Sequence, residues 1–90
     1  MVLTFVIVVS GKVQGVYYRQ SAKQKAQELG ITGFAKNLPD GSVMLIATGA
    51  TEQLNQFVAW CRKGPPAARV TDVKVQQEEA HPYDSFTIQR

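Results

Sequence analysis

Cysteine and histidine each occur once in the 90 residues, and that scarcity removes several classes of protein at once. One thiol cannot close an internal disulfide, so the chain is no cross-linked secreted scaffold, and nothing in it requires an oxidising compartment. Cys61 and His81 together are too few for a metal centre of the zinc type. No hydrophobic run approaches the roughly 20 residues that a bilayer-spanning helix needs. The apolar opening, Met1 to Val9, lacks the positive leader and small-residue cleavage site of a secretory signal, so it is expected to be a strand and the protein cytoplasmic. Runs of like charge, internal repeats and low-complexity segments are also missing.

What remains is an ordinary soluble composition, 44% hydrophobic and 19% charged, in a chain with room for one domain spanning residues 1–90. The formal charge of +3 suits a small anionic partner better than nucleic acid, because the basic residues are scattered and form no patch. Leu3 to Val9 is β-branched and aromatic and apolar on both faces except at Thr4, the pattern of an interior strand. Residues 19–29 carry Ala22, Ala26 and Leu29 at helical spacing, and Gly30 stops that helix. Ile31 to Asn37 and Ser42 to Thr48 read as a hairpin around the Pro39-Asp40-Gly41 turn. Thr51 is expected to cap a second helix, with Leu54, Phe57, Val58 and Cys61 on its apolar stripe and Gly64-Pro65-Pro66 at its end. Val70 to Val75 and Phe86 to Gln89 complete the strands, while Gln77 to Ser85 is polar and carries no clear signal. The order predicts an α+β fold. It is a ferredoxin-like βαββαβ sandwich whose mixed, largely antiparallel sheet has two helices on one face and a short extra C-terminal strand.

The segment with the strongest chemical content is Val9-Ser10-Gly11-Lys12-Val13-Gln14-Gly15-Val16-Tyr17-Tyr18-Arg19. A glycine-punctuated loop between a strand and a helix turns backbone N–H groups toward one anion. Arg19 sits where the helix starts, and a cation there opposes the helix dipole unless an anion lies beside it. Tyr17 and Tyr18 are read as packing residues, Ser42 as a turn-exit serine or an assistant at the site, and Lys12 as a solvated lysine.

This stretch resembles the first signature of the acylphosphatases. Gly33-Phe34-Ala35-Lys36-Asn37, followed by Gly41-Ser42-Val43, is similar to the second, and Arg62-Lys63-Gly64-Pro65-Pro66 with Ala68-Arg69-Val70 extends the resemblance over most of the chain. The resemblance implies hydrolysis of the carboxyl–phosphate bond of a small-molecule acyl phosphate, with inorganic phosphate as product or inhibitor and with neither metal nor cofactor. Arg19 matches the family's substrate-binding arginine and Asn37 its water-orienting asparagine. Gln14, Gly15, Val16, Tyr17, Tyr18 and Arg19 match its phosphate-cradling loop. A monomer that binds no nucleic acid and no membrane is expected. The chain departs from the family at Tyr18, where phenylalanine or methionine is usual. A buried tyrosine hydroxyl needs a partner.

That chemistry suits the residues. An acyl phosphate leaves as a carboxylate, which is already a weak base, so no strong general acid is required. The loose phosphoryl-transfer transition state asks for positioning and charge stabilisation. A P-loop reading of Gly11-Lys12 fails because residues 6 and 13 are both valine. A non-catalytic ferredoxin-like module that binds RNA or another anion is the alternative. The third strand, Ser42 to Thr48, offers no aromatic residue on which a base could stack.

Overall fold

Alternation along the first strand decides how the chain layers. In the computed structural model, which describes residues 1–90, Phe5, Ile7 and Val9 are buried on one face of β1 (Val2–Lys12). Val6 and Val8 are half-buried on the other face, beside the buried Thr4. The remaining elements are α1 (Tyr18–Glu28), β2 (Thr32–Asn37), β3 (Val43–Ala50), α2 (Thr51–Lys63), β4 (Arg69–Glu78) and β5 (Phe86–Gln89). The sheet order is β4-β1-β3-β2-β5; every pairing is antiparallel except β2 with β5, which is parallel. This is the ferredoxin-like sandwich with a fifth strand that the sequence predicts. Most element ends agree with the expected ones to within a residue or two, the ordinary scatter of fraying termini.

Both helices pack over the face that carries Phe5, Ile7, Val9, Leu45 and Ala47. α2 covers β1, β3 and β4, and α1 covers β2 and β5. Leu54, Phe57 and Cys61 of α2 are fully buried. Full burial of a large apolar side chain such as Leu54 or Phe57 stabilises by about 1.5–3 kcal/mol. α1 is weaker: its buried residues are Tyr18, Ala22 and Ala26, so Tyr18 supplies most of its anchoring surface. It ends as expected, with Ile31 N–H donating to Ala26 O (2.8 Å) and Gly30 N–H to Gln27 O (3.2 Å), the paired bonds of a Schellman cap.

Two expectations are corrected. Thr51 is not the cap of α2. It is the first helical residue, the cap position belongs to Ala50, and no side chain caps the helix. The neighbouring strand provides the acceptor instead, since Met1 O receives both the Thr51 N–H (3.1 Å) and the Thr51 hydroxyl (3.2 Å). β4 is longer than Val70 to Val75 and runs on through Gln76, Gln77 and Glu78, which pair with Val6, Phe5 and Thr4. Those polar residues hide the strand from an apolar pattern search, because an outer strand is solvated and gains from polar side chains.

Tyr18 answers the question that its departure from the family raises. Its ring is 1% exposed and packs on Trp60 with centroids 5.3 Å apart. Its hydroxyl donates to Cys61 O at 2.7 Å. That carbonyl would ordinarily receive the N–H four residues on, but residue 65 is proline and has none. Tyr18 therefore satisfies a carbonyl that the end of α2 orphans. Burial holds its phenol protonated far above the ordinary tyrosine range, so it stays a donor. Burial likewise pushes the Cys61 thiol up to about 12, which makes it a core residue and no nucleophile.

Tyr18→Phe should keep the packing and strand the Cys61 carbonyl. The expected loss is about 1–3 kcal/mol, or several degrees of melting temperature for a domain of this size. Thermal and urea unfolding of the variant check it; an unchanged midpoint would mean that water replaces the hydroxyl at no cost.

Candidate active site

A loop, residues 13–17, joins β1 to α1, and its amides define the site. No N–H from Gln14 through Gln20 donates to an acceptor within the protein. The first ordinary helical bond of α1 is Ser21 N–H to Tyr17 O, at 3.0 Å. A helix start leaves its first N–H groups free, and here the preceding loop extends that free set. α1 has no side-chain cap and no acidic residue in its first turn, so its positive end is uncompensated. Gly15 (φ +74°) and Tyr17 (φ +62°) both take the left-handed conformation that turns successive N–H groups toward one concave side. A side chain at residue 15 would meet no protein atom, so the glycine there leaves open space above the amides.

Both ends of the loop are tied to the same strand end. The Gln14 side-chain amide donates from Nε2 to Leu38 O and to Ser42 O, each at 2.9 Å. The Arg19 guanidinium donates from Nη1 to Gln89 O at 2.9 Å. Gln89 pairs with Lys36 across β5 and β2, so Arg19 is fastened one residue before Asn37 and Gln14 one residue after it. The expectation that two strand ends bring Arg19 and Asn37 together is met by these two tethers. Gly15, Tyr17, Arg19 and Asn37 share one cavity of about 430 Å³ with Ile88 and Arg90. A larger groove of about 680 Å³, between α1 and α2 around Trp60 and Lys63, has neither the free amides nor a buried unpaired polar atom.

Asn37 carries that orphaned atom: its Oδ1 is buried and has no hydrogen-bond partner. A buried unpaired amide oxygen is unfavourable and marks a position where a donor is missing. The site residues divide by role. Val16 and Tyr18 are buried at 6% and 1% exposure, so of these residues only the N–H groups are left for a ligand. The Gln14 side chain is committed to its two carbonyls, which leaves its N–H as well. Tyr17 is not a packing residue: it is 75% exposed, because the left-handed turn throws its side chain outward while its neighbours turn in.

Ile88, Arg90 and the Gln89 carbonyl were not foreseen as parts of the site. The short apolar run at Phe86 signals a strand but not which neighbour it joins. The Ser42 side chain belongs to the turn, since its hydroxyl (2.6 Å) donates to Asp40 Oδ1 as its N–H (2.9 Å) does, while its carbonyl holds Gln14. Those two bonds hold the Asp40 carboxyl below the usual carboxylate range. A depressed folded-state pKa means that the stabilisation is present above the unfolded value and is lost as pH falls through the folded one.

The protection of the Ser42 amide against hydrogen exchange, relative to its intrinsic rate at each pH, should therefore fall only below the ordinary carboxylate range, as Asp40 protonates. Asp40→Asn keeps an oxygen acceptor that does not titrate and should flatten the dependence. The same acid response in both proteins would assign it to global unfolding.

Comparison with known proteins agrees with this arrangement. The family model "Acylphosphatase" matches residues 5–88. The chain is 55% identical over 71 residues to the acylphosphatase of Methylococcus capsulatus, covering 79% of this chain and 77% of that one. Among solved structures, the Coxiella burnetii acylphosphatase superposes with a TM-score of 0.94 at 38% identity, covering 98% of this chain and 93% of its own. The Bacillus subtilis acylphosphatase gives 0.95 at 32% identity, covering 98% and 99%. With the family's description matching nearly end to end and the fold superposing over almost every residue, this chain belongs to the acylphosphatase family.

Proposed function

We propose that this chain hydrolyses the carboxyl–phosphate bond of small acyl phosphates to a carboxylate and inorganic phosphate. The observation that carries the reading is the run of unpartnered amides from Gln14 to Gln20 beside Arg19, in the cavity that Asn37 also lines. A phosphoryl group is the ligand with enough acceptor oxygens to use such a set. Amides and guanidinium are fixed before it arrives, so little reorganisation opposes the reaction. The Gln89 tether leaves the other nitrogens of Arg19 free to bind two phosphoryl oxygens.

The Asn37 side-chain amide lines the same cavity, where it holds a water molecule and orients the water oxygen toward phosphorus. As the water oxygen bonds to phosphorus, the bridging P–O bond breaks and its electron pair leaves on the carboxylate. A proton of the water passes to the phosphate product or to solvent. The developing equatorial charge meets the amides and Arg19. The leaving group needs no acid, and no aspartate, glutamate or cysteine is among the residues that line the cavity. The role that a metal ion plays in many phosphoryl-transfer enzymes falls here to the loop amides and Arg19, so the reading includes neither metal nor cofactor. It also takes the protein as a cytoplasmic monomer, a setting in which the free buried thiol of Cys61 is stable.

Turnover of a simple acyl phosphate should persist in excess EDTA, with little action on phosphate monoesters, whose alkoxide leaving groups need an acid this site lacks. Inorganic phosphate should inhibit competitively and raise the melting temperature, with about 2.7 kcal/mol added at a hundredfold excess over its Kd. Activity abolished by the chelator and restored by Mg²⁺ would overturn the reading.

Arg19 and Asn37 should separate kinetically. Arg19→Lys keeps the charge but loses the planar fork, so phosphate inhibition and kcat should weaken together. Asn37→Ala should lower kcat on the order of 10²-fold or more and leave the phosphate inhibition constant nearly unchanged. A near-normal kcat in a folded Asn37→Ala protein would remove Asn37 from the mechanism.

A further inference from the structure

The loop that grips the phosphoryl group uses its backbone, and that leaves one side chain unexplained. Val16 and Tyr18 on either side are buried, whereas Tyr17 is 75% exposed and lines the same cavity as Arg19 and Asn37. It is also the one non-glycine residue with positive φ. The loop's course demands a left-handed residue at this point, and glycine or asparagine meets that demand with less strain than a bulky aromatic. The ring returns nothing to the fold. It joins none of the aromatic pairs, its hydroxyl makes no hydrogen bond within the protein, and it is not part of the hydrophobic core. The other apolar lining residues are Val13, Tyr18 and Ile88, and of these only Ile88, from β5, is not buried.

We propose that Tyr17 is the specificity-determining residue of the site, its ring packing against the acyl group so that aromatic acyl phosphates are preferred over small aliphatic ones. This rests on reading the cavity as an acyl phosphate site. The phosphoryl group is held by the amides and Arg19, so the acyl group must leave the loop on the open side of the cavity, where Tyr17 and Ile88 are the apolar lining residues that are not buried. A flat ring stacks on a flat ring, while an acetyl group offers one methyl and gains little.

The test is the ratio of kcat/KM for benzoyl phosphate to that for acetyl phosphate. The two substrates present the same phosphoryl group, so any disturbance of the loop by a substitution divides out of the ratio. Tyr17→Asn and Tyr17→Gly both suit the left-handed backbone and remove the ring. Each should lower the ratio roughly threefold to tenfold, the range that aromatic pairing confers. Tyr17→Phe keeps the ring and should keep the ratio. An unchanged ratio in the ringless variants overturns the assignment, as does a loss in Tyr17→Phe equal to theirs. Competitive inhibition of the wild-type protein by inorganic phosphate reports separately on the anion site. Its absence would overturn the underlying reading, whereas its presence with an insensitive ratio would overturn the role of Tyr17 alone.

Discussion

The structure turns on a set of backbone amides that the fold leaves without acceptors. The amides from Gln14 to Gln20 have no acceptor within the protein, which leaves them to water or to a ligand. The rest of the loop is arranged to keep that run from collapsing into ordinary turns. Gly15 and Tyr17 adopt left-handed backbone, Gln14 is fastened to Leu38 and Ser42, and Arg19 is fastened to Gln89. The uncapped start of α1 adds its dipole in the same direction. An anion bound there would pair with these amides, and so binding and local stability would be coupled at this site.

Such a loop needs a rigid base, and α1 alone is a poor one. Two of its three buried residues are alanines, so its attachment depends on Tyr18. The tyrosine ring packs on Trp60, and its hydroxyl replaces the N–H that Pro65 denies to Cys61. The proline that ends α2 thus creates the vacancy that fixes α1. Tyr18 lies between Tyr17, whose side chain faces solvent, and Arg19, whose side chain faces the cavity. The residue that departs from the family's usual phenylalanine or methionine therefore connects the site to the core through a directional bond as well as through packing.

Much of this is legible in the residues because the signals are local. The strand–loop–helix at residues 9–19, the Pro39-Asp40-Gly41 turn and the stripe of α2 all depend on neighbours within a few positions. Arg19 could be linked to an anion because a cation at a helix start is locally unfavourable. What was hidden depends on distant partners. Thr51 reads as a cap, and nothing near it reveals that Met1 O already occupies that role. The tail of β4 is polar and shows as a strand only once β1 is beside it. Tyr17 and Tyr18 are identical in the sequence, and their opposite fates follow from a single left-handed residue that composition does not announce.

The least informative segment of the sequence leads into the strand that Arg19 grips. Residues 79–85 show no pattern, yet they cross the open face of the sheet and bring the chain back to β5. A closed set of hydrogen bonds pins them there. His81 N–H donates to Thr4 Oγ1 (2.8 Å), and Thr48 Oγ1 donates to His81 O (2.7 Å). The Thr48 proton is thereby committed, so the 2.6 Å contact between the two hydroxyls must be donated by Thr4. Every hydroxyl in this buried cluster then has one defined direction. Phe34 adds an edge-on contact with Tyr83, and Ser85 O accepts the Gly33 N–H at 3.0 Å, which sets β5 in parallel register with β2. That register carries Gln89 to Lys36, beside Asn37, and the Gln89 carbonyl is what Arg19 grips. A shift of one residue in that pairing would turn the β5 side chains to the opposite face and move the carbonyl that orients Arg19. The threonine pair, though distant in the chain from any site residue, anchors the segment that leads into the strand on whose register the placing of the guanidinium depends.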